Sequence, residues 1–236
     1  MTATDRDVDR ARPALLRGAA AGWAALDALA PERLADVYGD LAVPVVGADG
    51  EPAGERTLRE FLGRGERGEY VRDLSVRRAF PGLADAVPAL PGTDNWLDAL
   101  PPDERPDWLW AYVGQDGSGS GFHVDTALSS AWNVLACGRK RWTFRPPAAA
   151  IEAGLVPAAL RDAFPVADAT PVVVEQRPGD VVLTPSGWLH RVENTGRTVA
   201  LTGNYVNAGN AHVVRRYLLE IGDAASAAAL DSVTPR

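Results

Sequence analysis

One cysteine, one methionine, one lysine and three histidines in 236 residues leave few side chains from which metal, thiol or amine chemistry can be built. With Cys137 alone no internal disulfide forms, and the thiol of ALSSAWNVLACG reads as a small buried hydrophobe rather than a nucleophile. No apolar run approaches the roughly 20 residues needed to span a bilayer. The opening MTATDRDVDRARP has neither the basic start nor the apolar core of a secretory leader, so the expectation is a cytoplasmic protein without a membrane partner. A net charge of −7 lacks the basic surface that broad phosphate contact requires. Nucleic acid is thereby disfavoured, and peptides, proteins and small molecules remain as partners.

What is present is concentrated in a few segments. His123 and Asp125 lie in GSGSGFHVD, His190 closes PSGWLHRVEN, and His212 is left over at a C-terminal helix, where it caps or faces solvent. Successive side chains of a strand alternate faces, so His-x-Asp puts an imidazole and a carboxylate on one side. Joined by a distant histidine, they make a two-histidine, one-carboxylate set that leaves three octahedral positions open, as non-heme Fe(II) chemistry requires. Zinc favours a closed tetrahedral set. The short pattern also fits a core or surface histidine beside a turn aspartate, and alone it does not choose between the two.

Lys140 stands in RKRWTF, where Lys140, Trp142 and Phe144 alternate with Arg141 and Thr143 in the manner of a strand. Arginine supplies every other basic side chain, so the compact ammonium is an exception. Pointed into a barrel it needs an anion, and a dicarboxylate such as 2-oxoglutarate would provide one. Pointed outward it is a solvated lysine in a basic turn. Further on, residues 172–176 and the VVL after Pro-Gly-Asp read as strands. An Asn-Thr-Gly-Arg turn then leads to a strand with Thr198, Ala200, Thr202 and Asn204 on one face, lining either a ligand cavity or a solvated surface. Short strands at this spacing predict a barrel or sandwich.

Over roughly residues 13–207 the chain resembles the JmjC-type, cupin-like family of Fe(II)- and 2-oxoglutarate-dependent oxygenases. The resemblance rests on blocks occurring in order: a small-residue run before His-x-Asp, Trp-Asn, Gly-x-Lys-x-Trp with a Pro-rich exit, Pro-Gly-Asp, Pro-x-x-Trp-x-His and a Thr-x-Asn strand. It implies a mainly β fold with flanking helices, a double-stranded β-helix or jelly-roll barrel. It implies Fe(II) bound by His123, Asp125 and His190, with 2-oxoglutarate and O2 as cosubstrates and Lys140 on the distal carboxylate. Ser120 falls where the family often has a threonine that contacts the cosubstrate. Asn133, Thr202 and Asn204 fall on cofactor-lining positions, and Tyr70 in GEYVRDL resembles a tyrosine reaching the same carboxylate. The implied activity is hydroxylation of a C–H bond, in a peptide or protein side chain. The alternatives are a free amino acid or natural-product substrate, and a non-oxidative metal-binding cupin acting as an isomerase or regulatory module.

The expected organisation is one domain over residues 1–236, with helix and strand wrapping over 1–105, the barrel core over 106–207 and a helical segment over 208–236. Pro31 and Glu32 start a helix, residues 41–46 form a strand, and Thr57 caps a helix that places Leu58, Phe61 and Leu62 on one face. Trp23 and Phe61 read as core. Residues 80–107, rich in Pro, Gly and acids, read as a lid or binding loop anchored by Trp96. Val213, Tyr217, Leu218 and Ile221 form an apolar helix face that covers the barrel end or pairs with a second subunit as a homodimer. The tail from Asp231 is expected to be mobile.

Overall fold

The structure, a computed structural model, describes residues 11–165 and 169–235. Most of the opening segment considered for a leader lies outside them. Among the described residues no helix is long and apolar enough to cross a membrane. The chain runs β1 (Ala14–Leu16), α1 (Ala24–Ala28), α2 (Pro31–Tyr38), β2 (Ala42–Val46), β3 (Pro52–Thr57), α3 (Leu58–Arg64), β4 (Tyr70–Ser75) and α4 (Val76–Ala79). After an irregular stretch come β5 (Leu109–Gly114), β6 (Gly119–His123), β7 (Ser130–Arg145), α5 (Pro147–Glu152), β8 (Val172–Gln176), β9 (Val181–Thr184), β10 (Leu189–Tyr205), α6 (Ala211–Glu220) and α7 (Ala224–Val233).

Every strand pairing is antiparallel. The strands run in the order β1-β9-β7-β10-β5-β4-β2-β3, with β6 added on β10 and β8 on β7. The two long strands β7 and β10 lie side by side from Leu189 opposite Arg145 to Tyr205 opposite Ser130, and their register slips between Thr195 and Ala200. Gly138 turns this corner at φ 79°, where an added Cβ would meet the Arg197 carbonyl. A bulge bends its strand and increases twist. Each long strand thus serves two partners: β10 pairs β6 before the corner and β5 after it, while β7 pairs β9 before and β8 after. This mostly antiparallel sheet with flanking helices is the expected jelly-roll architecture.

The core fills the space between the sheet and the N-terminal helices, with Leu29, Leu34, Leu58 and Phe61 fully buried. Trp23 packs edge-on against Trp132 at 6.2 Å between ring centroids. α3 starts where Thr57 and Glu60 cap each other reciprocally, satisfying two otherwise orphaned N–H groups. At the other end α6 divides its apolar face. Val213 and Tyr217 pack with Leu160, Phe164 and Leu189, whereas Val214 and Leu218 pack with Leu97, Ala227 and Leu230.

β1 pairs with β9, and just past it Arg17 and the Gly18 N–H bond the Asp180 carboxylate at 2.7 and 2.9 Å. Two local expectations are corrected. Ile221 lies past the end of α6 and is exposed, and Val214 takes its place on the buried face. The tail is helical through Val233, with Asp231 paired to Arg215 at 2.7 Å. Residues 80–107 contain two 3-10 turns and bury Leu83, Leu90, Leu97 and Leu100. The Trp96 N–H ties them to the Val206 carbonyl at 2.8 Å.

Candidate functional site

Antiparallel pairing of β6 with β10 sets His123 directly opposite His190, with ring centroids 4.2 Å apart. Each ring is oriented by a backbone carbonyl: His123 Nδ1 donates to Gly121 O at 2.8 Å and His190 Nδ1 to Trp188 O at 3.0 Å. A carbonyl only accepts, so Nδ1 carries a proton in each ring, and Nε2 is the nitrogen left to face a metal. Burial, partly offset by the nearby Asp125, depresses His190 to about 4, so it is neutral at pH 7 and able to ligate.

Asp125 does not share a strand with His123, because β6 ends at His123. Asp125 remains extended and opens a tight turn in which Ala127 and Leu128 take φ values of 52° and 54°. Two consecutive non-glycine residues in the left-handed region are strained, and the surroundings must hold them. Leu128 is buried and its carbonyl accepts from the Ser186 hydroxyl, which provides that hold. The result is a carboxylate whose Oδ2 is buried with no hydrogen-bond partner among the described residues. Donor atoms of His123, Asp125 and His190 lie within 4.8 Å of one another, a set able to hold one metal ion. On the His190 side, Gly187 turns the chain at φ 77° against the Phe164 ring. Trp188 is buried beneath, its indole N–H bonded to the Ala11 carbonyl at 3.0 Å. Trp142 and Phe144 stack at 5.7 Å and flank the His190 ring.

These three residues share a cavity of about 440 Å³ with Tyr70, Ser120, Asn133, Lys140 and Thr202. Lys140 is 2 % exposed, and its Nζ reaches only the Tyr70 hydroxyl, at 3.4 Å. Among the described residues it has no carboxylate partner, and burial pushes its pKa down to about 7. Burial also pushes the Tyr70 phenol up, with Asn194 and Ser120 interacting with it. Asn133 and Thr202 face each other across β7 and β10, the amide donating to Thr202 Oγ1 at 2.8 Å. The Asn133 Oδ1 is left buried and unpartnered.

Asn204 stays outside this cavity. Its amide donates to Ser129 Oγ at 3.0 Å, and it lines a separate hollow with Trp132 beneath the 80–107 segment. His212 lies within α6, 3.2 Å from the Ala163 carbonyl, away from the cluster. Sequence reading missed Tyr112, Asp73 and Arg72, which complete the cavity wall. Tyr112 alternates with Ala111 and Val113 in LWAYVG, a visible signal, but only its register opposite Ala200 shows that it faces inward.

No family model matches the chain. Curated relatives do. The chain is 31% identical to the lysine-specific demethylase JMJ21 of Arabidopsis thaliana, over 87% of this chain and 24% of that protein. It is 32% identical to the human 2-oxoglutarate and iron-dependent oxygenase JMJD4, over 79% of this chain and 52% of that protein. It is 29% identical to the bifunctional arginine demethylase and lysyl-hydroxylase psr-1 of Caenorhabditis elegans, over 89% of this chain and 59% of that protein. The matched regions are thus between about a quarter and three-fifths of those relatives. Across most of its length the chain is therefore similar to JmjC-type 2-oxoglutarate- and iron-dependent oxygenases and demethylases.

Proposed function

We propose that the protein is an Fe(II)- and 2-oxoglutarate-dependent dioxygenase that hydroxylates a C–H bond in a peptide or protein side chain. One observation carries the reading: three metal-ligand donors and a buried lysine that, among the described residues, has no carboxylate partner line the same cavity. His123, Asp125 and His190 would hold the iron, each histidine through the Nε2 that its backbone carbonyl leaves free. Lys140 would meet the distal carboxylate of 2-oxoglutarate, and Tyr70 is within reach of the same end. Asn133, Ser120 and Thr202 would line the cosubstrate, with the free Asn133 Oδ1 turned to a bound water or ligand donor. When bound, iron with 2-oxoglutarate and O2 supplies the oxidant, and succinate and CO2 are the coproducts. The protein orients these groups and excludes water, with Trp142 and Phe144 shielding one side of His190.

A protein substrate fits the relatives, whose names specify lysine or arginine residues or lysyl hydroxylation. The place of Lys140 in the same cavity as the three donors supports this chemistry over a non-oxidative cupin, whose metal chemistry needs no buried ammonium to meet a dicarboxylate. A single unit over the chain, a cytoplasmic setting and a homodimer through the C-terminal helix complete the proposal. The test is an anaerobic titration of the apoprotein with Fe(II) and then 2-oxoglutarate, followed by the visible metal-to-ligand charge-transfer band. A band that is absent in Asp125→Ala and His190→Ala is the expected result. Bound metal with no band on adding 2-oxoglutarate would move the assignment to the non-oxidative cupin. Efficient hydroxylation of a free metabolite and of no peptide would replace the substrate.

A further inference from the structure

Asp73 is the cavity's second carboxylate, and nothing above gives it a task. It sits in β4 at φ 55°, where the register against β5 slips between Val71 and Leu74. Such a bulge re-aims a side chain, and aspartate is one of the few residues that tolerates the left-handed conformation. Strain of this kind beside a site is a reason to look for a role. The Tyr112 hydroxyl donates to Asp73 Oδ1 at 2.8 Å, which fixes the carboxylate. Tyr112 keeps that proton, because burial holds its pKa well above the usual value. Among the described residues Oδ2 has only the Arg72 Nε at 3.8 Å, too long for a hydrogen bond.

The cavity is therefore graded in charge. Lys140 is buried, with Nζ 6.0 Å from the Tyr112 ring centroid, while Asp73, bonded to the hydroxyl of the same tyrosine, is 63% exposed. A buried cation suits an anionic cosubstrate, and an outer carboxylate with one free oxygen suits a cation arriving from solvent. Arg72 faces the same cavity, so the outer part carries both signs and the two must be separated by experiment.

Resting on the function proposed above, we propose that Asp73, held by Tyr112, is a specificity-determining residue that selects a substrate side chain ending in an ammonium or guanidinium group. The free Oδ2 receives that cation in the outer part of the cavity. A neutral side chain of the same length leaves the oxygen to water and gains nothing from it.

The test uses the full chain with Fe(II), 2-oxoglutarate and four peptide libraries. Their flanks are degenerate but free of Lys and Arg, and their central residue is Lys, norleucine, Arg or citrulline. Peptide hydroxylation is read by mass. A cationic centre should exceed its neutral counterpart by about fivefold in kcat/KM, the scale of a partly exposed ion pair. Asp73→Asn keeps an oxygen acceptor for Tyr112 and tolerates the same backbone conformation, and it should bring the ratio close to one. Arg72→Gln should leave the preference in place or enlarge it. Equal use of charged and neutral centres, no turnover of any library, or a preference that survives Asp73→Asn overturns the proposal. The charge-transfer band, read on the same preparation, separates the two failures. Its absence overturns the metal and cosubstrate reading, whereas its presence with a flat ratio overturns the role of Asp73 alone.

Discussion

Replacing Lys140 with methionine tests the site through two quantities that should move in opposite directions. The ammonium is 2 % exposed and has no counter-ion among the described residues, and its pKa falls from the ordinary 10.5 to about 7 because of burial. Holding it in the folded apoprotein at pH 7 therefore costs on the order of 4 kcal/mol relative to the unfolded chain. Methionine retains most of the stem's packing and removes the charge. If only about 2 kcal/mol of that cost is recovered, the apoprotein's Tm rises by roughly 4–8 °C. Cosubstrate binding should weaken by at least about 2 kcal/mol, roughly 30-fold in Kd, because a buried carboxylate loses its charged partner. Thermal unfolding of the metal-free protein gives the first quantity, and 2-oxoglutarate titration of the anaerobic Fe(II) form gives the second. The pH dependence adds a signature. Between about pH 7 and 10.5 the unfolded chain carries the proton at this lysine and the folded chain does not, so this group makes apoprotein stability rise with pH in that window. Lys140→Met should remove that component. A lower Tm together with unchanged cosubstrate affinity would refute the reasoning and make Lys140 a structural residue.

With Lys140 in its proposed role, 2-oxoglutarate binds the protonated form, and its affinity should be steady below pH 7 and fall by up to about tenfold per pH unit above it, as measured by the same titration across pH 6–9. Fe(II) at about 100 times its Kd should stabilise the wild type by roughly 2.7 kcal/mol, and this stabilisation should vanish in Asp125→Ala. Metal-free Asp125→Ala should unfold no earlier than wild type, since the orphaned buried oxygen is gone. Gly187→Ala forces a side chain into the left-handed region and against Phe164; a loss of about 1–3 kcal/mol in a denaturant midpoint, with weaker Fe(II) binding through a displaced His190, is expected. Thr57→Ala removes a reciprocal cap far from the cavity and should cost about 1 kcal/mol in the same assay.

Features carried by neighbouring residues were legible in the chain. The Thr57 cap, the Pro31 helix start and the strand alternation around Lys140 each depend on contacts a few residues long, and the folded chain keeps all three. Ile221 and the tail were misread for the opposite reason, since what buries a helix residue or orders a terminus is packing against distant segments such as the one around Leu97. Asn204 shows the same limit. Strand alternation puts it on the face of Thr202, but the strand has by then run beyond the cavity, and the amide finds Ser129 instead.

The sequence by itself determined which residues were available for the chemistry. With three histidines and one lysine, scarcity and ordered motifs singled out His123, Asp125, His190 and Lys140 before any contact was known. Only the tertiary structure decided how they meet. His123 and His190 face each other because β6 and β10 pair in one register, and Asp125 arrives through a strained turn rather than along the strand. Lys140 is buried with the Tyr70 hydroxyl in reach and, among the described residues, no carboxylate partner because the barrel closes around it, and Asp73 enters the cavity through a bulge that strand periodicity does not encode. Periodicity and capping act over a few residues and can be read along the chain. Register, burial and the slip of one strand past another arise from long-range pairing, where the free energy belongs to the assembled sheet and to no single segment.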